Sequence, residues 1–207
     1  MRLLVTAGPT REYLDNVRFI SNASTGAMGF AIGAVAAQRG HSVILVTGPT
    51  SLQPPKGVEV ESVVSAQQMQ QAVQRHYAQA DAVVMTAAVS DYRPEKRLEG
   101  KLKKTGQPFT LKLVPNPDIL AGLGREKGGR ILVGFALEAT ADRANAAAKL
   151  RAKNLDYIVL DTPAAMGAER ASVVILSADG TEEELRDAPK QAVAARIIDL
   201  IEQKGRP

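Results

Sequence analysis

Leu3-Leu4-Val5-Thr6-Ala7-Gly8-Pro9, then Gly26-Ala27-Met28-Gly29-Phe30-Ala31-Ile32, and then Val43-Ile44-Leu45-Val46-Thr47 are the stretches that decide the fold. The first is a short apolar run stopped by Gly-Pro, the pattern of a strand buried on both faces of a parallel sheet. The second opens a helix over residues 26–39, with Met28, Ala31, Ile32, Val35 and Ala36 at helical spacing and Gly40 as a left-handed stop. The third closes a βαβ unit. The link between the first strand and its helix is unusually long, and structureless links of that length tend to carry function.

The same rhythm continues along the chain. Residues 58–64 read as a strand, Ser65 caps a helix running through Tyr77, and residues 82–86 form a fourth strand. An irregular, lysine-rich stretch over 87–105 and an alternating segment over 109–114 read as a β-flap excursion. The rhythm resumes with a short helix over 117–124 opened by Asn116-Pro117, a buried strand over 131–135 and an alanine-rich helix over 141–152. A strand over 157–160 follows. Residues 172–177 and 181–185 form a hairpin across Asp179-Gly180, and Asp187 is the expected cap of a last helix to about residue 203. This alternation predicts an α/β fold: a three-layer, doubly wound, mostly parallel sheet of Rossmann-like kind, in one domain over 1–207 with its flap at about 87–114.

Composition narrows the function classes. The chain has 207 residues, enough for one full-sized core. Aromatic residues make up 4% with no Trp, leaving little to stack on single-stranded nucleic acid, so no nucleic-acid partner is expected. The net charge of +4 is spread over 26 basic and 22 acidic residues, which suits a small anionic substrate. Without Cys there is no disulfide, zinc–thiolate site or thiol nucleophile. No apolar run reaches the roughly 20 residues of a membrane span, and the expected location is cytoplasmic with no membrane partner.

Ligands of open parallel sheets sit beyond the carboxyl ends of the strands, so the loops after Ala7, Thr86 and Phe135 are where to look. The first ends in Ser24-Thr25-Gly26-Ala27-Met28-Gly29 directly before a helix, where free N–H groups and the helix dipole suit phosphate oxygens. It lacks the Lys-Ser/Thr of a Walker loop and the spacing of a dinucleotide fingerprint. The plainer alternative is that Gly26 and Gly29 only allow close helix–sheet packing. In the second loop Asp91 suits ribose hydroxyls or a magnesium ion, or equally a turn cap. Lys101-Leu102-Lys103-Lys104 is either a solvated face or a source of mobile charge for a phosphoryl group. Phe135 suits a wall for a base, or core. Lys149 and Lys153, four apart on one helix face, repel unless an anion joins them.

Taken in order, Gly8-Pro9-Thr10-Arg11-Glu12, Val17-Arg18-Phe19-Ile20-Ser21-Asn22, Gly26-Ala27-Met28-Gly29-Phe30-Ala31, Ala87-Ala88-Val89-Ser90-Asp91-Tyr92, Lys101-Leu102-Lys103-Lys104, Asn116-Pro117-Asp118-Ile119, Gly134-Phe135-Ala136 and Lys153-Asn154-Leu155-Asp156 closely resemble the phosphopantothenate–cysteine ligase family (phosphopantothenoylcysteine synthetases) of bacterial type. The resemblance runs from Val5 to about Leu200. It implies amide formation between 4′-phosphopantothenate and cysteine in coenzyme A synthesis, through an acyl-cytidylate made from CTP with magnesium. It implies catalytic roles for Asn22 and Lys101, and a substrate site at Arg18, Asn22 and Ala88. The nucleotide site it implies takes in Ser24, Gly26, Met28, Thr86, Ala87, Asp91, Lys101, Asp118, Ile119, Leu120, Phe135, Lys149 and Lys153. It also implies a homodimer in which the flap of one subunit helps cover the other's site, and a flavin-dependent decarboxylase as a fused or separate partner. Ala27 departs from the Lys found there in many relatives. The alternatives are a nicotinamide-dependent reductase, for which no Tyr-x-x-x-Lys pair is evident, and a non-catalytic nucleotide-binding protein.

Overall fold

A computed structural model describes residues 1–137, 142–162 and 167–205. Six parallel strands form the body of an eight-stranded sheet: β1 (Arg2–Ala7), β4 (Ser42–Thr47), β5 (Glu59–Ser62), β6 (Ala82–Met85), β9 (Ile131–Leu137) and β10 (Tyr157–Asp161). In space they run β10-β9-β6-β1-β4-β5, and two antiparallel strands, β11 (Arg170–Ser177) and β12 (Glu182–Pro189), extend the β10 edge. The chain builds outward from β1 to one side, then returns to lay β6 on its other side. Connections after β1 and β6 therefore diverge, opening a crevice at their carboxyl ends, the switch point of a Rossmann-like fold.

Alternate residues of each central strand serve opposite layers, as a period of two requires. Leu3, Val5 and Ala7 of β1 and Ala82 and Val84 of β6 pack with α1 (Ala27–Gln38) and α5 (Lys190–Lys204). Leu4, Val83 and Met85 face α2 (Ala66–Tyr77), α3 (Ile119–Arg125) and α4 (Arg143–Ala152). The helix start expected at residue 141 lies outside the described residues. Ser65 caps α2 as expected, in a full capping box with Gln68, and the helix buries Met69, Ala72, Val73 and Tyr77 as one stripe. The cap of α3 is Asp118, whose carboxylate accepts the Ala121 N–H at 2.9 Å; Asn116-Pro117 lies just outside the helix.

Three expectations are corrected. Asp187 does not cap α5: β12 continues to Pro189, which is the N-cap residue, and Asp187 sits within the strand at φ 41°, where the pairing with β11 shifts register between Ala171 and Val173. Its carboxylate instead accepts from Arg170 Nε at 2.9 Å. In the flap, strand pairing runs over β8 (Leu113–Pro115) against β7 (Tyr92–Pro94), with one further bond from the Glu95 N–H to the Lys112 carbonyl at 3.0 Å, not over the whole of 109–114. The long first link is not structureless: β2 (Arg11–Tyr13) and β3 (Phe19–Ser21) form a hairpin.

That hairpin inverts ordinary polarity. Glu12 and Asp15 are buried while Val17, Phe19 and Ile20 are exposed. Glu12 accepts the Ala66 N–H at 2.8 Å, and Asp15 accepts N–H groups of Val17 and Arg18 at 2.7 Å and of Leu102 at 3.0 Å. These donors hold the Asp15 carboxyl down to about 2; the Leu102 amide contributes most, then Arg18, against an opposing effect of burial. The bond to Leu102 ties the hairpin turn to the flap, alongside Leu98 N–H to Leu14 carbonyl at 2.9 Å and Asn16 N–H to Gly100 carbonyl at 3.0 Å.

Candidate active site

The crevice is stitched from both sides. The Ala88 N–H donates to the Gly8 carbonyl at 3.0 Å, and the Thr10 N–H donates back to the Ala88 carbonyl at 3.2 Å. Asn22 Nδ2 donates to that same Ala88 carbonyl at 2.9 Å, fixing the amide at the seam between the first and second strand-end loops. Below them Thr86 Oγ1 donates to the Thr6 carbonyl at 2.6 Å, anchoring the start of the second loop on β1.

The glycines before α1 divide their work. A Cβ at Gly29 would lie 2.6 Å from both Ala7 Cβ and Thr86 Oγ1, so this glycine lets the first turn of α1 press on β1 and β6. Gly26 has φ 84° and would put a Cβ 3.0 Å from the Gly8 nitrogen; it is the left-handed residue that turns the chain into the helix. The packing reading holds for Gly29, and it is what brings the 24–29 segment into the crevice.

Three adjoining cavities open there, and Ala87 and Phe135 line all of them. One of about 140 Å³ is framed by residues 24–29, Thr86 and Ala88. A second of about 330 Å³ joins Asn22, Ala88, Asp91, Leu120, Lys149 and Lys153. A third of about 200 Å³ joins Asp91, Asn116, Asp118, Ile119, Leu120 and Lys153. The structure thus gathers Asn22, Ser24, Gly26, Met28, Thr86, Ala87, Ala88, Asp91, Asp118, Ile119, Leu120, Phe135, Lys149 and Lys153 around one crevice. Arg18 and Lys101 are not lining residues of these cavities within one chain. Arg18 lies on the exposed hairpin, donating to the Leu102 carbonyl and pairing with Asp15 at 3.4 Å, and Lys101 is exposed on the flap.

The charges have specific partners. Lys153 Nζ lies 2.8 Å from Asp118 Oδ2. Burial works against the Asp118 charge, but the Lys153 ammonium and Ala121 N–H outweigh it and hold the carboxyl below its ordinary range. Lys153 thus meets the N-cap acid of α3 at the end of α4, where the helix dipole also favours a cation. Asp91 is exposed at the junction of two cavities. Among the described residues no group of three or more His, Asp or Glu side chains is placed to hold a metal ion. A magnesium ion fits only in the manner usual for that ion with nucleotides, on a carboxylate such as Asp91 with phosphate oxygens and water as its other ligands.

Sequence reasoning missed two charged residues in the smallest cavity: Asp161, at the end of β10, and Lys190, in the first turn of α5. The first was legible in principle, since it ends β10, the next parallel strand along the sheet from β9. Burial raises the Asp161 carboxyl pKa, opposed by the Thr162 N–H at 2.7 Å and by the Lys190 charge. Burial lowers Lys190, opposed by Asp161.

A family model, the DNA/pantothenate metabolism flavoprotein C-terminal domain, matches residues 1–204. The chain belongs to that family. The chain is similar to the Coenzyme A biosynthesis bifunctional protein CoaBC of Mycobacterium tuberculosis (strain ATCC 25618 / H37Rv), 45% identical over 219 residues covering 97% of this chain and 51% of that protein, and to that of Bacillus subtilis (strain 168), 44% identical over 204 residues covering 96% and 50%. The chain spans about half the length of these relatives. Its fold matches the crystal structure of the C-terminal domain of CoaBC with a TM-score of 0.85 at 42% identity, over 98% of this chain and 94% of that one. The DNA/pantothenate metabolism flavoprotein from Streptococcus pneumoniae, 22% identical over 98% of this chain and 99% of that one, shares the fold at a TM-score of 0.87. Among the described residues no helix is long and apolar enough to cross a membrane.

Proposed function

We propose that this chain is the ligase that joins 4′-phosphopantothenate to cysteine, using CTP and releasing CMP and pyrophosphate, in the cytoplasmic synthesis of coenzyme A. The observation that carries this reading is the convergence of Asn22, Asp91 and Phe135 on adjoining cavities at the switch point. The family and the coenzyme A biosynthesis proteins within it support the pathway.

The substrate carboxylate is a poor electrophile, and the chemistry repairs that. A carboxylate oxygen attacks the α-phosphorus of CTP, and the bond to the β-phosphate breaks, with pyrophosphate taking the electron pair. The cysteine nitrogen then attacks the acyl carbon, the acyl–oxygen bond breaks, and CMP leaves with that pair. Asn22, held at the seam by Ala88, is suited to donate to the acyl oxygen as negative charge grows on it, without being consumed. The base and ribose lie between Phe135 and the Asp118 to Leu120 turn, with Asp91 toward the ribose hydroxyls or a magnesium ion. Lys149 and Lys153 flank them, and the 24–29 segment approaches the phosphates. Magnesium, when bound with the triphosphate, withdraws charge from its oxygens.

Arg18 and Lys101 enter this reading through a second subunit. The hairpin and flap expose Val17, Phe19, Ile20, Tyr92, Phe109 and Leu113, an apolar set suited to meeting its own copy. In such a dimer the flap reaches the partner's crevice, bringing Lys101 to the phosphates and Arg18 to phosphopantothenate. The product carries a carboxylate beside a thiol, the substrate for a flavin-dependent decarboxylase on a fused or separate chain. The test is pyrophosphate release that requires CTP, magnesium and phosphopantothenate together, with formation of the cysteine amide read by mass spectrometry. A folded dimer that releases none refutes the assignment.

A further inference from the structure

Asn116 stands between β8 and the cap of α3, and its bonds run back to the second strand-end loop and the strand that leaves it. Its N–H donates to the Asp91 carbonyl at 2.7 Å, and its Nδ2 donates to the Ser90 carbonyl at 2.8 Å. Pro117 biases residue 116 to extended backbone and Asp118 caps the helix, so this N–H lies outside α3 and is open to a distant partner. Arg93 Nη1, from β7, donates to Asn116 Oδ1 at 3.1 Å and to the Pro115 carbonyl at 2.6 Å. A guanidinium only donates and a carbonyl only accepts. The place therefore requires one side chain that does both, which an amide supplies and a carboxylate does not.

The two carbonyls that Asn116 holds belong to the peptide groups on either side of Asp91. Peptide groups are planar, so fixing both limits the two torsions between them, and with these the direction in which the Asp91 side chain leaves the backbone. The Ser90 N–H is held as well, by the buried Thr10 Oγ1 at 3.0 Å. The Asp91 carboxylate is exposed where two cavities of the crevice meet, so before a ligand arrives its direction is set by the backbone that carries it. We propose that Asn116 is a positioning residue for the nucleotide: it holds Ser90 and Asp91 so that the Asp91 carboxylate meets CTP in the crevice. The inference rests on the ligase reading, which gives Asp91 to the nucleotide, and adds the residue that aims it. Through Arg93 the same amide is joined to the first strand of the flap, so Asp91 and the flap share one support.

A double-mutant cycle on CTP binding, read by calorimetry at a fixed magnesium concentration, separates positioning from support of the fold. Asp91→Asn should weaken CTP binding about tenfold or more, the scale of one lost charge-assisted contact. Asn116→Ala removes both side-chain bonds and adds no charge. It should weaken CTP binding about tenfold in the wild-type background and about twofold or less in Asp91→Asn, because the carboxylate it aims is then gone. A loss of the same factor in both backgrounds, as a general loosening of the loop or a direct contact between Asn116 and the nucleotide would give, overturns the proposal. So does either single variant that binds CTP as well as wild type. Asn116→Ser, whose side chain reaches one bond less far, carries the same cycle if the alanine variant does not fold. Each of these failures would leave the wild-type protein binding CTP and releasing pyrophosphate, whereas a wild type that does neither would remove the ligase reading itself.

Discussion

Replacing Gly29 and Gly33 by Ala, one at a time, tests how the crevice is built. Both lie in α1, so each substitution brings a gain in helix propensity of up to about 1 kcal/mol over glycine. Their surroundings differ. A Cβ at position 33 finds Val43 and Val58 methyls at 3.9 Å, ordinary van der Waals contact, and the variant should be neutral or more stable. At position 29 the same carbon meets Ala7 Cβ and Thr86 Oγ1 at 2.6 Å and the Thr6 carbonyl oxygen at 2.9 Å, two of these fixed by the sheet backbone. Overpacking of that kind costs about 1–3 kcal/mol. Because the propensity gain is common to both, the difference between the variants isolates the clash. Urea unfolding should place the Gly29→Ala midpoint below that of Gly33→Ala by that amount divided by a shared m-value. In thermal melts each kcal/mol is about 2–4 °C for a domain of this size. Equal midpoints would mean that α1 does not press on β1 as described.

Further expectations concern the site and its supports. Asn22→Asp should block formation of the acyl-cytidylate, since it sets a carboxylate against both the Ala88 carbonyl and the substrate's own charge; normal CTP-dependent pyrophosphate release would remove Asn22 from the chemistry. Lys101→Gln should slow turnover more than it weakens CTP binding, and mixed dimers of this variant with Asn22→Asp should regain one intact site if the flap acts across subunits. Mixed dimers as inactive as their parents would return Lys101 to its own chain. The Asp15 tether should persist well into acid. With its carboxyl at about 2 against 3.8 in the unfolded chain, its contribution is fully present above about pH 4 and disappears as pH falls through about 2. Amide exchange at Leu102 and Arg18 should therefore stay slow at pH 4; rapid exchange there would contradict the bonds described.

The parallel sheet was legible because buried strands write themselves as short apolar runs and helices as stripes, and both signals are local. Ser65 announced α2 in the same way. The β2–β3 hairpin was illegible because its buried positions are the acids Glu12 and Asp15, each satisfied by amides from Ala66 or Leu102 far along the chain, while Phe19 and Ile20 face out. Asp187 misled because an acid before a helix resembles a cap, and only the continued pairing of Arg170 with Pro189 shows that the strand has not ended. Most of the crevice lining followed from strand-end loops and family strings together. Lys190 did not, since nothing in its neighbourhood reveals that α5 begins beside α1 rather than on the outer edge.

Asp15 has a consequence beyond its own turn. One buried carboxylate gathers donors from the hairpin and from Leu102, so the two protrusions are braced as a single unit. In the proposed dimer, a surface braced in this way needs little ordering upon contact, so more of the attraction between its greasy tips is left to hold two subunits together. Under the dimer proposed above, subunits carrying Asp15→Asn would separate at higher concentrations than the parent, although Asp15 itself is buried within its own chain.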